Sequence, residues 1–81
     1  SRLLMAAFLH LLKADSAAAL AASVIESNLA EPDARVTVVL LDGAIAPSLP
    51  AGVTMRRLAD GELDYPGLLD LIFAHDHVIT W

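Results

Sequence analysis

Arg35-Val-Thr-Val-Val-Leu-Leu41 is the most strongly strand-forming segment of this 81-residue chain. It is rich in β-branched and apolar residues, and Asp42-Gly43 follows it directly. β-Branched side chains favour strands, and an unbroken apolar run is typical of a strand covered on both faces. We therefore predict a buried strand over residues 35–41.

A second apolar run of strand length, Leu3–Leu12, lies upstream and is interrupted only by His10. It predicts a buried central strand, although its leucine and alanine content also suits a helix. Ala17–Leu29 lies between the two runs and is dominated by alanine, the best helix former. We predict a helix there.

The predicted helix has recognisable ends and an apolar stripe. Asp15 or Ser16 is expected to cap its N-terminus, and Pro32 ends it. The stripe that we expect to face the sheet is formed by Leu20, Val24 and Ile25, widened by Ala17, Ala21 and Leu29.

The second half of the chain predicts two further strands and a second helix. Val53–Leu58 alternates and forms a less buried strand, because Arg56 and Arg57 must reach water. Ala44–Gly52 is too short and broken by prolines for a full crossover helix, although one helical turn fits. Asp60-Gly61 marks a turn.

A capped helix and a short strand follow that turn. Asp64 is expected to cap a helix that has Pro66 in its first turn and runs to about Ala74. The apolar residues of this helix are Leu68, Leu69, Leu71, Ile72 and Phe73. His77–Trp81 is predicted to close the chain as a final strand.

The predicted order β-α-β-β-α-β fits two architectures. We favour an α/β fold with a small, mostly parallel sheet and packed helices, because the first two strands need cover on both faces. The alternative is a ferredoxin-like α+β fold, which has the same element order but an antiparallel sheet with one open face. Residues 1–81 are too few for two cores, so we expect a single domain.

The composition indicates more apolar surface than one small core can hide. Hydrophobic residues make up 57% of the chain, charged residues make up 19%, and the mean hydropathy is +0.62. The chain has no cysteine, so no disulfide can stabilise the fold. We therefore expect a homo-oligomer, or a hetero-oligomer with related subunits.

The charge and the length of the apolar runs disfavour two classes of partner. A net charge of −5 argues against direct nucleic-acid binding, which uses basic surfaces to neutralise phosphates. No apolar run approaches the roughly 20 residues that span a bilayer, so we expect no membrane partner. A cytoplasmic location is the best interpretation.

Two segments resemble the DsrE/DsrF/DsrH-like family of sulfur-relay proteins, which includes the Tus subunits used in tRNA thiolation. The first is Arg35–Gly43, an apolar strand followed by an acidic-Gly turn. The second is the tail Asp64–Trp81, which is most similar to the DsrH/TusB branch. The matching positions of the tail are Asp64, Tyr65, Gly67, Leu68, Asp70, Leu71, His75, Asp76, Val78 and Trp81.

The resemblance implies a divergent, DsrE-like domain, because Leu9–Ser16 departs from the turn motif usual in that branch. Family members form hexamers and related ring-like oligomers, and a cysteine on particular subunits carries persulfide. This chain has no cysteine and cannot carry persulfide. Some family subunits lack the reactive cysteine and act as structural partners, which is the role that the resemblance implies here.

Four polar residues are candidates for a ligand site. His10, Lys13 and Asp15 come at the end of the first predicted strand, and Asp42 follows the second. In an open parallel sheet, ligands bind beyond the carboxyl ends of the strands, and a helix N-terminus favours an anion. The alternative interpretation is structural: His10 is a hydrogen-bonded histidine near the core, Lys13 is solvated, and Asp15 or Ser16 caps the helix.

The tail offers further candidates. His75-Asp76-His77 has residue types that bind divalent metals, but two histidines are too few ligands, so we predict no metal. A position in the last turn of the helix suits His75, and a connecting turn suits Asp76. Trp81 is predicted at a subunit interface, with a core position as the alternative.

No catalytic residue or cofactor is predicted, because the chain lacks a nucleophile elbow, a P-loop and a dinucleotide-binding fingerprint. The function that we expect is a non-catalytic structural or ligand-binding subunit related to sulfur-relay proteins. One alternative is a small anion-binding protein or enzyme that uses His10, Lys13, Asp15 and Asp42. Another is a ferredoxin-like regulatory module.

Overall fold

The computed structural model describes residues 6–59 and 62–81. The elements in these ranges are β1 (Ala7–Leu12), α1 (Ala18–Leu29), β2 (Arg35–Leu40), β3 (Val53–Arg57), α2 (Tyr65–Ala74) and β4 (His77–Thr80). The predicted residues Leu3–Met5 of the first strand and the Asp60-Gly61 turn lie outside the described ranges.

The strands form one sheet in the order β3-β2-β1-β4, and every neighbouring pair is parallel. The predicted α/β fold and its β-α-β-β-α-β order are confirmed. The ferredoxin-like alternative is wrong for the described residues, because it requires antiparallel pairing.

The two central strands carry the core on both faces of the sheet. Every residue of β1 is buried, and all of β2 is buried except Arg35. Successive side chains of a strand point to opposite faces, so each strand contributes to two clusters. The α1-side core contains Phe8, Leu12, Ala21, Ile25, Val36, Val38, Leu40 and Ala44. The α2-side core contains Leu9, Leu11, Val39 and Leu63.

Helix α1 contacts the sheet through part of the predicted stripe, and Leu29 of that stripe packs against the α1-side core. Ala21 and Ile25 are fully buried, whereas Leu20 is 58% exposed, so its assignment to the sheet-facing stripe is wrong. The small Ala21 side chain permits a close approach to the sheet and turns Leu20 outward. The predicted cap is also wrong, because Ala17 is the N-cap residue and no side chain of the described residues caps the helix.

The connection between β2 and β3 crosses over without a helix. A parallel crossover needs about a dozen residues and is usually helical. Here the segment 44–50 has no regular structure, and its residue Ala44 is buried in the α1-side core, with Leu49 packed against it. This irregular segment therefore covers the sheet as a second helix would.

Helix α2 begins as predicted. The Asp64 side chain accepts a hydrogen bond from Gly67 N at 2.8 Å, and a proline follows in the first turn. Leu68, Leu71 and Ile72 pack against the α2-side core, but no residue of α2 is fully buried. In the described part of the chain, no helix is long and apolar enough to cross a bilayer.

The outward side of α2 carries an apolar stripe. Tyr65, Leu69 and Phe73 are spaced four residues apart and are 73%, 53% and 84% exposed. Residues with this spacing lie on one side of a helix. We refer to these three residues as the α2 stripe.

Candidate functional site at the carboxyl ends of the strands

The connections that follow β1 and β2 lie against each other at the carboxyl ends of the strands. Gly43 has a φ of +77°, and a Cβ atom at this position would lie 3.2 Å from the Ala14 Cβ. Lys13, Asp15 and Asp42 are all exposed. The structure therefore brings the two predicted loops together and leaves these three side chains at the surface.

A local hydrogen-bonded turn shapes the loop after β1. The Ser16 hydroxyl accepts a hydrogen bond from Lys13 N at 2.8 Å, and Ser16 N donates to Lys13 O at 3.1 Å. Ser16 thus fixes the turn that precedes α1, and this explains why its hydroxyl is not used as a helix cap.

A cleft of about 300 Å³ lies beside this region, between the ends of β2 and β3 and the start of α2. It is lined by Asp42, Leu58, Ala59, Leu63, Asp64 and Tyr65. The two carboxylates make the cleft a poor fit for an anion, and one of them already caps α2. Of the four predicted ligand-binding residues, only Asp42 lines this cleft.

His10 lies inside β1, two residues before the strand ends, and is completely buried. Its Nε2 atom is 2.7 Å from Asn28 Oδ1 on α1, and its Nδ1 atom is 3.0 Å from Trp81 Nε1 beyond β4. The indole and imidazole rings are nearly parallel, with an interplanar angle of 17° and ring centroids 6.1 Å apart. Both ring nitrogens are therefore occupied by partners within the chain.

These contacts define the protonation state of His10. An indole N–H can only donate, so Nδ1 of His10 must accept, and the hydrogen of the neutral ring is on Nε2. That hydrogen is donated to Asn28 Oδ1. Burial lowers the pKa of His10, and the hydrogen bond to Asn28 opposes this only in part. The geometry matches the structural interpretation of His10, and a ligand site at Lys13, Asp15 and Asp42 stays a prediction.

The buried imidazole predicts a pH-dependent stability. Because the folded pKa lies below the unfolded value of 6.5, the unfolded chain binds more protons as the pH falls. The stabilisation by neutral His10 is complete above pH 6.5 and is lost as the pH falls from there through the lowered folded pKa. Urea unfolding across this range should show a decreasing free energy of unfolding. In the variant His10→Gln that decrease should be smaller, and an equal decrease would contradict this assignment.

Each side chain of His75-Asp76-His77 contacts another part of the chain. The His75 side chain bonds Leu71 O through Nδ1 at 2.6 Å and Thr37 Oγ1 through Nε2 at 2.9 Å. Asp76 accepts from Ala7 N at 2.8 Å through its side chain, and His77 stacks on Phe8 with ring centroids 4.9 Å apart. The prediction that His75 lies in the last turn of α2 is wrong. The helix ends at Ala74, and His75 follows it with an extended backbone.

Trp81 packs against the α1-side core and is half-buried. Its predicted interface role stays a prediction. Asn28 was not predicted as a site residue. Its spacing of seven and three residues from the buried Ala21 and Ile25 places it on the same helix face, and this spacing is the sequence signal for it.

Comparisons of the chain with protein-family models, with curated proteins and with solved structures found no match.

Proposed function

We propose that this chain is a non-catalytic structural or ligand-binding subunit related to the DsrE/DsrF/DsrH sulfur-relay proteins. It acts in the cytoplasm within a homo- or hetero-oligomer and does not itself carry persulfide. The observation that carries the assembly part of the proposal is the exposed α2 stripe. An isolated soluble domain gains nothing by exposing two aromatic rings and a leucine side by side, and such patches mark interaction surfaces.

The relation to sulfur-relay proteins is supported by the resemblance of Arg35–Gly43 and Asp64–Trp81 to that family. Three residues of the tail motif have structural roles in this chain: Asp64 caps α2, His75 bonds its C-terminal end, and Asp76 ties the following turn to β1. A chain without cysteine has no thiolate nucleophile for covalent sulfur transfer. The role that agrees with both observations is a supporting subunit.

The two alternatives have less support. An anion-binding protein or enzyme that uses His10 needs a free ring nitrogen, and both nitrogens of His10 have partners within the chain. A regulatory module of ferredoxin-like architecture does not agree with the parallel sheet.

Co-purification with a sulfur carrier tests the proposal. The purified chain is mixed with a cysteine-bearing DsrE-type subunit from the same genome, and the carrier is loaded with labelled persulfide. We expect the two chains to elute together from a sizing column, with the label on the carrier alone. A cysteine-to-serine variant of the carrier is the control for the label. Separate elution of the two chains would contradict a relation to sulfur relay.

A further inference from the structure

The sheet has two edges, and they differ in how they are protected. β3 has Arg56 and Arg57 side by side, with Pro50 and Gly52 just before the strand. Charged residues and prolines on an edge strand discourage pairing with another chain. β4 consists of His77-Val-Ile-Thr80 and has no arginine, lysine or proline. The β4 edge is therefore open to strand pairing, whereas the β3 edge is protected.

Within residues 6–59 and 62–81, the backbone of β4 has hydrogen-bonding groups without partners along that edge. Trp81 N donates to Leu11 O of β1, and alternate residues of a parallel strand bond to the same neighbour. Ile79 therefore also bonds toward β1, and the N–H and C=O groups of Val78 and Thr80 point away from the sheet.

The α2 stripe lies close to this edge. Val78 pairs with Leu9 of the α2-side core, so its side chain faces the α2 side of the sheet, where it is 39% exposed. At 3.6 residues per turn, the stripe lies roughly 110° around α2 from the residues that contact the core. Nearly all connections between parallel strands are right-handed crossovers. For the β3-α2-β4 connection, this hand turns the side of α2 that carries the stripe toward β4.

We propose that β4 pairs antiparallel with β4 of a second copy of this chain, and that the α2 stripes of the two copies close over the joined strands. The inference rests on the assembly part of the proposed function and names its interface. One register uses all the outward groups: Val78 lies opposite Thr80 of the second copy, and the two Ile79 residues face each other. This pairing forms about four backbone hydrogen bonds across the contact.

The surface area that a stable dimer buries favours an interface that includes both the α2 stripe and the β4 edge. The exposed parts of Tyr65 and Phe73 amount to roughly 300 Å², given that an aromatic side chain buries 150–250 Å². A standard interface buries about 800 Å² per partner, so the stripe alone is too small. The adjacent strand edge supplies further contact area. Neither β4 nor the stripe has an acidic residue of its own.

Two pairs of variants test this interface by sedimentation. Thr80→Pro removes an outward N–H from β4, and Met55→Pro makes the matched change on β3, where Leu58 N bonds inward to Leu40 O. Phe73→Glu charges the stripe, and Ile45→Glu charges a residue that is equally exposed elsewhere, at 80% against 84%. We expect Thr80→Pro and Phe73→Glu each to raise the dimer dissociation constant roughly 10- to 100-fold. The two control variants should leave it within about threefold of wild type.

A cross-linking experiment keeps the test valid even if a proline variant unfolds. The chain has no native cysteine, so a single introduced cysteine can pair only with its copy. In the proposed register the two Ile79 Cα atoms lie about 4.5 Å apart, within disulfide range. We expect Ile79→Cys to form a covalent dimer on mild oxidation and Met55→Cys, which faces the same side of the sheet, to form little.

The outcomes separate this interface from the proposed function. A wild-type dimer that is unaffected by Thr80→Pro and Phe73→Glu, with no Ile79→Cys cross-link, would overturn the interface. Assembly with a sulfur carrier would still stand in that case. Conversely, a β4-linked dimer that does not bind a sulfur carrier would support the interface and contradict the relay role.

Discussion

Replacing His10 with alanine is expected to lower the free energy of unfolding by roughly 3–5 kcal/mol. The substitution opens a cavity at a completely buried position and removes the partners of Asn28 and Trp81 together. A loss of this size is a large fraction of the total stability, which is about 0.05–0.15 kcal/mol per residue for natural domains. Urea unfolding, followed by circular dichroism, measures it.

Two controls make this result specific to the hydrogen-bonded network. His77→Ala removes an exposed imidazole that stacks on Phe8, and it should cost no more than about 1.5 kcal/mol. His10→Gln retains a donor and an acceptor and should recover part of the loss. The lone tryptophan, Trp81, should shift its emission to longer wavelength in His10→Ala, because its indole N–H then turns to water. A His10→Ala variant as stable as His77→Ala would show that the network contributes little.

Replacing Ile25 with alanine is expected to cost about 2–5 kcal/mol. Ile25 and Ala21 are the fully buried residues of α1, so the attachment of this helix to the sheet depends mainly on the Ile25 side chain. Removing three of its carbon atoms leaves a cavity in the α1-side core. The change is read from the shift of the urea midpoint at constant slope.

Leu20→Ala is the matched control on the same helix. Leu20 is 58% exposed, and its truncation should change the free energy of unfolding by about 0.5 kcal/mol or less. Equal losses in Ile25→Ala and Leu20→Ala would contradict the observed orientation of α1 and would favour the stripe predicted from the sequence.

The strands were the most predictable part of this fold. A strand with apolar side chains on both faces is stable only when both faces are covered, so the runs containing β1 and β2 had to lie inside a covered sheet. β2 lies within the predicted residues 35–41, and the Asp64 cap and the end of α2 at Ala74 were also predicted. These features depend on local chemistry that one segment contains by itself.

Helix orientation was less predictable, because it depends on packing between segments. Hydrophobicity favoured Leu20 as a core residue, but close approach through Ala21 decided the rotation of α1. In α2 nearly every residue is apolar, so the composition did not distinguish the packed Leu68, Leu71 and Ile72 from the exposed stripe.

The candidate site was predicted only in outline. The sequence placed Asp42 and the loop after β1 at one edge of the sheet, and the structure brings these loops together. β1 ends at Leu12, as predicted, but His10 lies two residues inside the strand and is buried there, whereas the site hypothesis placed it with the exposed residues beyond the strand end. Its partners Asn28 and Trp81 are 18 and 71 residues away along the chain, and no local pattern links such distant positions.

The mass of the chain alone in solution, measured by light scattering from micromolar to submillimolar concentration, tests whether the exposed apolar surface is covered by another protomer. We expect a particle of at least twice the 8.6 kDa chain mass, with the fraction of assembled chain rising with concentration. A single species of 8.6 kDa at every concentration would contradict the proposal that another protomer covers this surface.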